Sequence, residues 1–170
     1  MIFKRIIGFY IIVGFSVSVC ANDINARDFL PLSKFEKAHE EVESYIENDE
    51  LYLTSKPQKW SYIATAPLHG LSEAEGRVDV LITFKVLEGT VAFGILNRDR
   101  TDFIIEQGVN LGYDYMEVHL YIPTINNNKT TLIGTDLIVR TWADDGKVAK
   151  VKIKSVEIIP APDGKALPLW

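Results

Sequence analysis

Seven short runs rich in β-branched and aromatic residues follow Leu53, and they constrain the fold more than any other feature of the chain. Tight turns separate several of them: Glu88-Gly89 and residues 144–147 each hold a glycine, which supplies the positive φ of hairpin turns. Many short strands with such turns predict an antiparallel β-sandwich or barrel. The predicted strands are residues 60–66, 77–87, 90–97, 102–107, 115–122, 136–142 and 148–159.

The run over residues 77–87 alternates most clearly. Every second position is apolar, with polar residues such as Asp79 and Lys85 between, so one face is buried and the other meets water. The last run repeats this pattern until Ser155, where the break predicts a bulge. The alternating apolar residues are Val78, Val80, Ile82, Phe84 and Val86 in the first case and Val151, Ile153, Val156 and Ile158 in the second.

Between Ser33 and Asn48 the apolar spacing is helical instead. Ser33 and Glu36 fit a capping box, in which each side chain satisfies a free amide of the first turn. The sequence therefore predicts one N-terminal amphipathic helix with an acidic outer face. Its apolar positions are Phe35, Ala38, Val42, Tyr45 and Ile46.

Residues 1–21 have the anatomy of a secretory signal peptide. Lys4 and Arg5 precede an apolar run over residues 6–19, and Val19-Cys20-Ala21 offers a small-residue cleavage site. The apolar run falls short of the roughly 20 residues that a spanning helix needs. We expect a periplasmic or secreted protein, with a lipoprotein anchored through Cys20 as the alternative. The predicted divisions are the signal at 1–21, a helical segment at 22–54, a β-sandwich at 55–160 and an irregular tail at 161–170.

Composition excludes several classes of function. The formal net charge is −5 and the two basic residues of the signal are lost on cleavage, so phosphate backbones are unfavourable partners. The single cysteine lies within the signal, which leaves no disulfide or cysteine ligand. His39, His69 and His119 are scattered and no Gly-x-Ser-x-Gly motif occurs, so we expect no enzyme. No cofactor is expected, and a structural calcium is the one ion that the acidic residues allow: Asp99, Asp102, Asp136, Asp144 and Asp145.

Aromatic residues in and beside the predicted strands carry the functional hypothesis. Exposed rings of Trp60, Tyr62 and Trp142 would stack on sugar rings, while Asp136 and Arg140 would bond sugar hydroxyls. The alternative is that Trp60 and Trp142 simply fill the core. Whether their rings are exposed distinguishes the two interpretations.

Three segments carry a resemblance to the galactose-binding-like β-sandwich domains used as carbohydrate-binding modules. They are Trp60-Ser61-Tyr62, the hairpin from Phe84 to Leu96, and the closing pair of residues 136–140 and 151–158. The resemblance implies a jelly-roll fold that binds ligand through loops at one edge, without catalysis. Where such domains often place Asn after the strand arginine, this chain has Thr141-Trp142.

The sequence thus predicts an exported, non-catalytic protein whose ligand is a glycan or polysaccharide. The alternative is an envelope protein-interaction or assembly factor that engages a partner protein through the helix over residues 33–48 or through an exposed strand edge.

Overall fold

The computed structural model describes residues 27–68, 74–75, 77–122, 129–130, 134–142 and 146–161. The predicted signal peptide and most of the predicted tail lie outside these residues. The described residues form thirteen strands and one 3₁₀ turn, Leu32–Lys34. The strands are β1 Asp28–Phe29, β2 Glu36–Lys37, β3 Glu43–Glu47, β4 Glu50–Thr54, β5 Tyr62–Pro67, β6 Ala74–Glu75, β7 Arg77–Glu88, β8 Val91–Leu96, β9 Phe103–Val109, β10 Met116–Ile122, β11 Lys129–Thr130, β12 Asp136–Thr141 and β13 Lys150–Ala161.

Two antiparallel sheets form a β-sandwich. The six-stranded sheet has the order β10-β7-β13-β4-β3, with β1 also pairing with β13, and the five-stranded sheet has the order β2-β5-β12-β8-β9. Strands β6 and β11 form a separate pair. All seven predicted runs are strands, with bounds within two residues of those expected.

The core lies between the two sheets. The alternating apolar residues of β7 are almost wholly buried, and those of β8 and β12 face them from the other sheet. Phe84 of β7 meets Phe93 of β8 with ring centroids 4.7 Å apart. The pairing of β13 with β7 shifts register between Ile153 and Ser155, which confirms the irregularity predicted there.

The predicted N-terminal helix is wrong. The segment over residues 33–48 contains part of the 3₁₀ turn and the strands β2 and β3, and no side-chain cap forms at Pro31, where the short turn begins. Of the expected apolar face, Phe35 and Val42 are buried, whereas Tyr45 and Ile46 are half exposed.

A hairpin explains this outcome. Asn48 and Asp49 have φ values of 51° and 61°, the two successive positive angles of a tight hairpin turn, and both residue types tolerate them. The turn pairs β3 with β4, so that Tyr45 lies opposite Tyr52. Leu51 and Leu53 of β4 then reach the core. Pairing across strands therefore outweighs the helical spacing of residues 35–46.

No helix in the described ranges is long and apolar enough to cross a membrane.

Candidate functional site

The outer face of the five-stranded sheet carries most of the residues that the sequence singled out. On β12, Leu137 and Val139 point into the core. Successive side chains of a strand alternate, so Asp136, Ile138 and Arg140 lie on the opposite, outer face.

Arg140 lies at the centre of this face. It is opposite Tyr62 of β5 and Ala92 of β8 in the strand register. Strand β9 brings Glu106 to the same face, where its Oε2 accepts a hydrogen bond from Arg140 Nη2 at 2.6 Å. Arg140 Nε also lies against Glu106 Oε1, so the two charged groups meet at two pairs of atoms, of which Nη2 and Oε2 form the hydrogen bond. Both side chains are about one-sixth exposed.

Aromatic rings surround the guanidinium of Arg140. Its Cζ lies 5.0 Å from the ring centroid of Trp60, 5.0 Å from that of Phe103 and 5.5 Å from that of Trp142. These distances are within the range of cation–π attraction. We call Trp60, Tyr62, Phe103 and Trp142, gathered around Arg140, the aromatic platform.

The rings also contact one another edge to face. Trp60 and Trp142 have centroids 5.1 Å apart and planes at 87°, and Tyr62 and Phe103 have centroids 6.5 Å apart at the same angle. Trp60 is 42% exposed and Trp142 is 36% exposed. Both rings therefore present surface to solvent, and neither fills the core.

Two glycines make room for these rings. A Cβ at Gly108 of β9 would overlap the indole Nε1 of Trp142. A Cβ at Gly94 of β8 would lie 2.6 Å from Cδ1 of Phe103, closer than real atoms approach. The two aromatic side chains can lie this close to the sheet only because these positions have no side chain.

The backbone holds Trp60 in a conformation that bulky residues rarely adopt, with φ of 50°. Thr141, which is almost fully buried, holds the residues on either side of Trp60 in place. Its hydroxyl accepts a hydrogen bond from the Ser61 amide at 2.9 Å and donates one to the Gln58 carbonyl at 3.0 Å. Next to this segment, the register of β5 and β12 shifts between Val139 and Arg140. Strained residues and bulges concentrate at functional sites.

Asp136 lies outside the platform. It is 5% exposed, and its Oδ2 is 2.6 Å from Nη2 of Arg100. Ile138, between Asp136 and Arg140 on the same face, is 1% exposed. The structure thus brings together four of the predicted site residues, Trp60, Tyr62, Arg140 and Trp142. Asp136 instead forms a separate ion pair with Arg100.

Phe103, Glu106 and Thr141 are platform or supporting residues that the sequence did not identify. Phe103 and Glu106 reach Arg140 through the pairing of β9 with β8 and of β8 with β12. The register of that pairing is irregular near Leu96, so spacing along the chain gave no signal for it.

The six-stranded sheet holds one His–Asp pair. Nδ1 of His119 lies 2.7 Å from Oδ2 of Asp79, which is 1% exposed. Burial raises the pKa of Asp79, while its hydrogen bond to His119 acts in the opposite direction. Across the described ranges, no three His, Cys, Asp or Glu side chains are grouped to hold a metal. The structural calcium stays a prediction, and Asp144 and Asp145 lie outside the described residues.

Several solved structures are similar to this chain. A mutant of CBM29-2, a family 29 carbohydrate-binding module complexed with cellulohexaose, aligns with TM-score 0.53 and 11% identity, covering 81% of this chain and 92% of that one. A CBM4 structure aligns with TM-score 0.51 and 14% identity, covering 83% and 90%. An arabinose-bound MgGH51 α-L-arabinofuranosidase aligns with TM-score 0.51 and 9% identity, covering 76% of this chain but only 23% of the enzyme.

A scan against protein-family models gave no match. A search of curated proteins gave no significant match. The structural likeness at these identities concerns the fold. The chain has a β-sandwich fold of the carbohydrate-binding-module type.

Proposed function

We propose that this protein binds a glycan on the aromatic platform and releases it unchanged. One observation carries the proposal: three aromatic rings gather around a single guanidinium on an outer sheet face, and two of them, Trp60 and Trp142, are partly open to solvent. An open ring stacks on the apolar face of a sugar, and a few placed polar groups bond its hydroxyls. Here Arg140 and Glu106 are those polar groups.

The charge of the platform favours an uncharged sugar. Glu106 neutralises Arg140 through two contacts, so the centre has no excess positive charge for a carboxylate or phosphate. The whole chain carries a formal net charge of −5, which repels acidic polymers further. A neutral glycan meets neither penalty.

The same geometry supports a non-catalytic role. Glycoside cleavage uses two carboxylates on either side of the scissile bond. Among the described residues, the platform centre instead holds one carboxylate, that of Glu106, which is paired with Arg140. Modules similar in fold are described as carbohydrate-binding, which supports the same role. The signal-like segment over residues 1–21 supports a periplasmic or secreted location, where polysaccharides are accessible.

A glycan array with the purified protein tests the proposal. The variant Trp142→Ala removes an open ring of the platform, and we expect it to weaken binding by at least about tenfold. The variant Tyr113→Ala is the matched control, because Tyr113 is 96% exposed and no ring or cation contact joins it to the platform. It should bind like the native protein. No binding to any glycan at millimolar concentration would contradict the proposal.

The envelope-partner alternative retains one supporting observation. Strand β3 is an edge of the six-stranded sheet, and all five of its residues are exposed, including Ile46. Exposed edges accept a strand from another protein. Glu43 and Glu47 on the same strand are charges of the kind that protect an edge from pairing, so the glycan remains the favoured ligand. An Ile46→Lys variant that loses a partner while keeping glycan binding would favour the alternative.

A further inference from the structure

We infer that the platform recognises one or two sugar units, as in a short oligosaccharide or a chain end, and does not follow a long stretch of polysaccharide. This inference rests on the proposed function and deepens it. Three features of the site carry it: the convergence of the rings, the angle between the two tryptophans and the closed surface beyond Arg140.

The rings converge on one point. All three centroids of Trp60, Phe103 and Trp142 lie within 5.5 Å of a single carbon atom, Arg140 Cζ. An extended glycan that stacks along its length needs rings in a row, one beneath each of several successive sugars. A compact group of rings can stack on only one or two neighbouring sugar units of the ligand.

The two open rings cannot stack on one flat ligand together. Trp60 and Trp142 stand at 87° to each other, so a sugar that lies on the face of one meets the edge of the other. The guanidinium of Arg140 lies over the ring of Trp60, and Trp142 rests on Gly108. The pair therefore forms a corner that encloses a single sugar ring from two sides.

The sheet face closes on one side of this corner. Two positions along β12 from Arg140, about 7 Å away, Ile138 is 1% exposed. Two positions further, Asp136 is 5% exposed and bonded to Arg100. A glycan that extends in this direction finds no open ring and no unpaired carboxylate on β12.

Calorimetric titration with gluco-, manno-, galacto- and arabino-oligosaccharides of one to six units tests the inference. For the sugar that binds, Kd should fall from one unit to two and then change by less than about twofold up to six units. A hexasaccharide that binds at least about tenfold more tightly than the disaccharide would overturn the inference and leave the proposed function standing. Failure of every length of every series to bind would overturn the proposed function itself.

A paired variant gives an independent result. Arg100→Ala combined with Asp136→Asn changes the closed end of β12 and leaves no buried carboxylate unpaired. We expect the same Kd as the native protein for the disaccharide and for the hexasaccharide. Weaker binding of the hexasaccharide alone would show that the ligand reaches Asp136, and the inference would be wrong.

Discussion

The two outer faces of the sandwich each carry aromatic rings around an ion pair, but the contacts among these side chains differ between the faces. On the five-stranded sheet, the aromatic platform surrounds the pair Arg140–Glu106. On the six-stranded sheet, Lys152 Nζ lies 2.7 Å from Oε2 of Glu50, and the lysine also lies near the rings of Tyr52 and Tyr115. We call the second group, which consists of Glu50, Tyr52, Tyr115 and Lys152, the tyrosine–lysine cluster.

The hydrogen bonds on the two faces indicate that the faces have different roles. In the cluster, Glu50 accepts hydrogen bonds from Lys152 and from the hydroxyls of Tyr52 and Tyr115. The polar groups of the cluster therefore form hydrogen bonds with one another. Tyr45 stacks on Tyr52 at 5.1 Å and extends the group to the sheet edge. The cluster thus links β4 and β13 with Tyr115, which directly precedes β10, and Tyr45 adds β3 to this group. The platform has its one ion pair at the centre and partly open tryptophan rings around it, an arrangement suited to a ligand.

Removing the basic side chain from each face should give the largest difference in stability and in glycan binding between the two faces. Arg140→Met leaves Glu106 mostly buried without its ion-pair partner, and we expect a loss of about 3 kcal/mol in the free energy of unfolding. Lys152→Met should cost less, because Glu50 keeps its hydrogen bonds from two tyrosine hydroxyls. Urea denaturation measures both values. Glycan titration should show lost binding for the first variant alone, and equal binding by both would break the distinction between the faces.

The glycine beneath Trp142 offers a gentler test of the platform. In Gly108→Ala the new methyl group occupies the place of the indole and pushes the ring off the sheet. We expect glycan affinity to fall by about tenfold, measured by titration, because the corner formed with Trp60 opens.

Gly94→Ala is the matched control on the same face. It displaces Phe103 and leaves Trp142 in place, so its loss of affinity should be clearly smaller. If Gly94→Ala weakened binding more than Gly108→Ala, Phe103 would be the main stacking surface and the role assigned to the tryptophan corner would be wrong.

The sequence predicted the framework of these faces but not their contacts. Alternation in β7 and β13 was strong enough to locate both strands, because a buried face requires an apolar residue at every second position. The same pattern in β4, with Leu51 and Leu53, was too short to predict a strand, and the helical spacing of residues 35–46 just before it favoured a helix. The Asn48-Asp49 turn was the signal that could have corrected this.

The site was predicted in part for a related reason. Trp60, Tyr62, Arg140 and Trp142 belong to β5 and β12 or the residues beside them, and these strands pair directly. Glu106 and Phe103 come from β9, two strands from β12, where the register of β8 and β9 is irregular. Asp136 shares the outer face of β12 but not the site, because it pairs with Arg100 of the turn between β8 and β9, and the spacing of residues along the chain did not show this contact.

The strained backbone of Trp60 allows binding and stability to be separated. In Trp60→Gly, relief of the positive φ should return about 1–2 kcal/mol, while loss of the contacts with Arg140 and Trp142 should cost a similar amount. We expect the thermal midpoint to stay close to that of the native protein and glycan affinity to fall. Trp60→Ala keeps the strain and loses the ring, so it should be the less stable of the two. A Trp60→Gly protein that binds glycan normally would remove Trp60 from the platform.

The smallest effect should be the dependence of stability on pH that comes from Glu50 of the cluster. The hydrogen bond from Lys152, followed by that from Tyr115, lowers the pKa of Glu50 below its ordinary value of 4.5. The unfolded chain therefore takes up this proton at a higher pH than the folded chain does. The stability that Glu50 contributes is complete above pH 4.5 and is lost as the pH falls from that value through the lowered pKa.

Urea midpoints of the native protein and of Glu50→Gln, compared between neutral pH and pH 3, measure this contribution. The difference in stability between the two proteins should shrink as the pH falls below 4.5, because the native cluster loses the charge that the variant never had. Glu47→Gln on the neighbouring strand is the control, since Glu47 is exposed and should leave the native profile unchanged. At neutral pH, Glu50→Gln should bind glycan like the native protein. Weaker binding would mean that the tyrosine–lysine cluster takes part in recognition, and the division of labour between the two faces would fail.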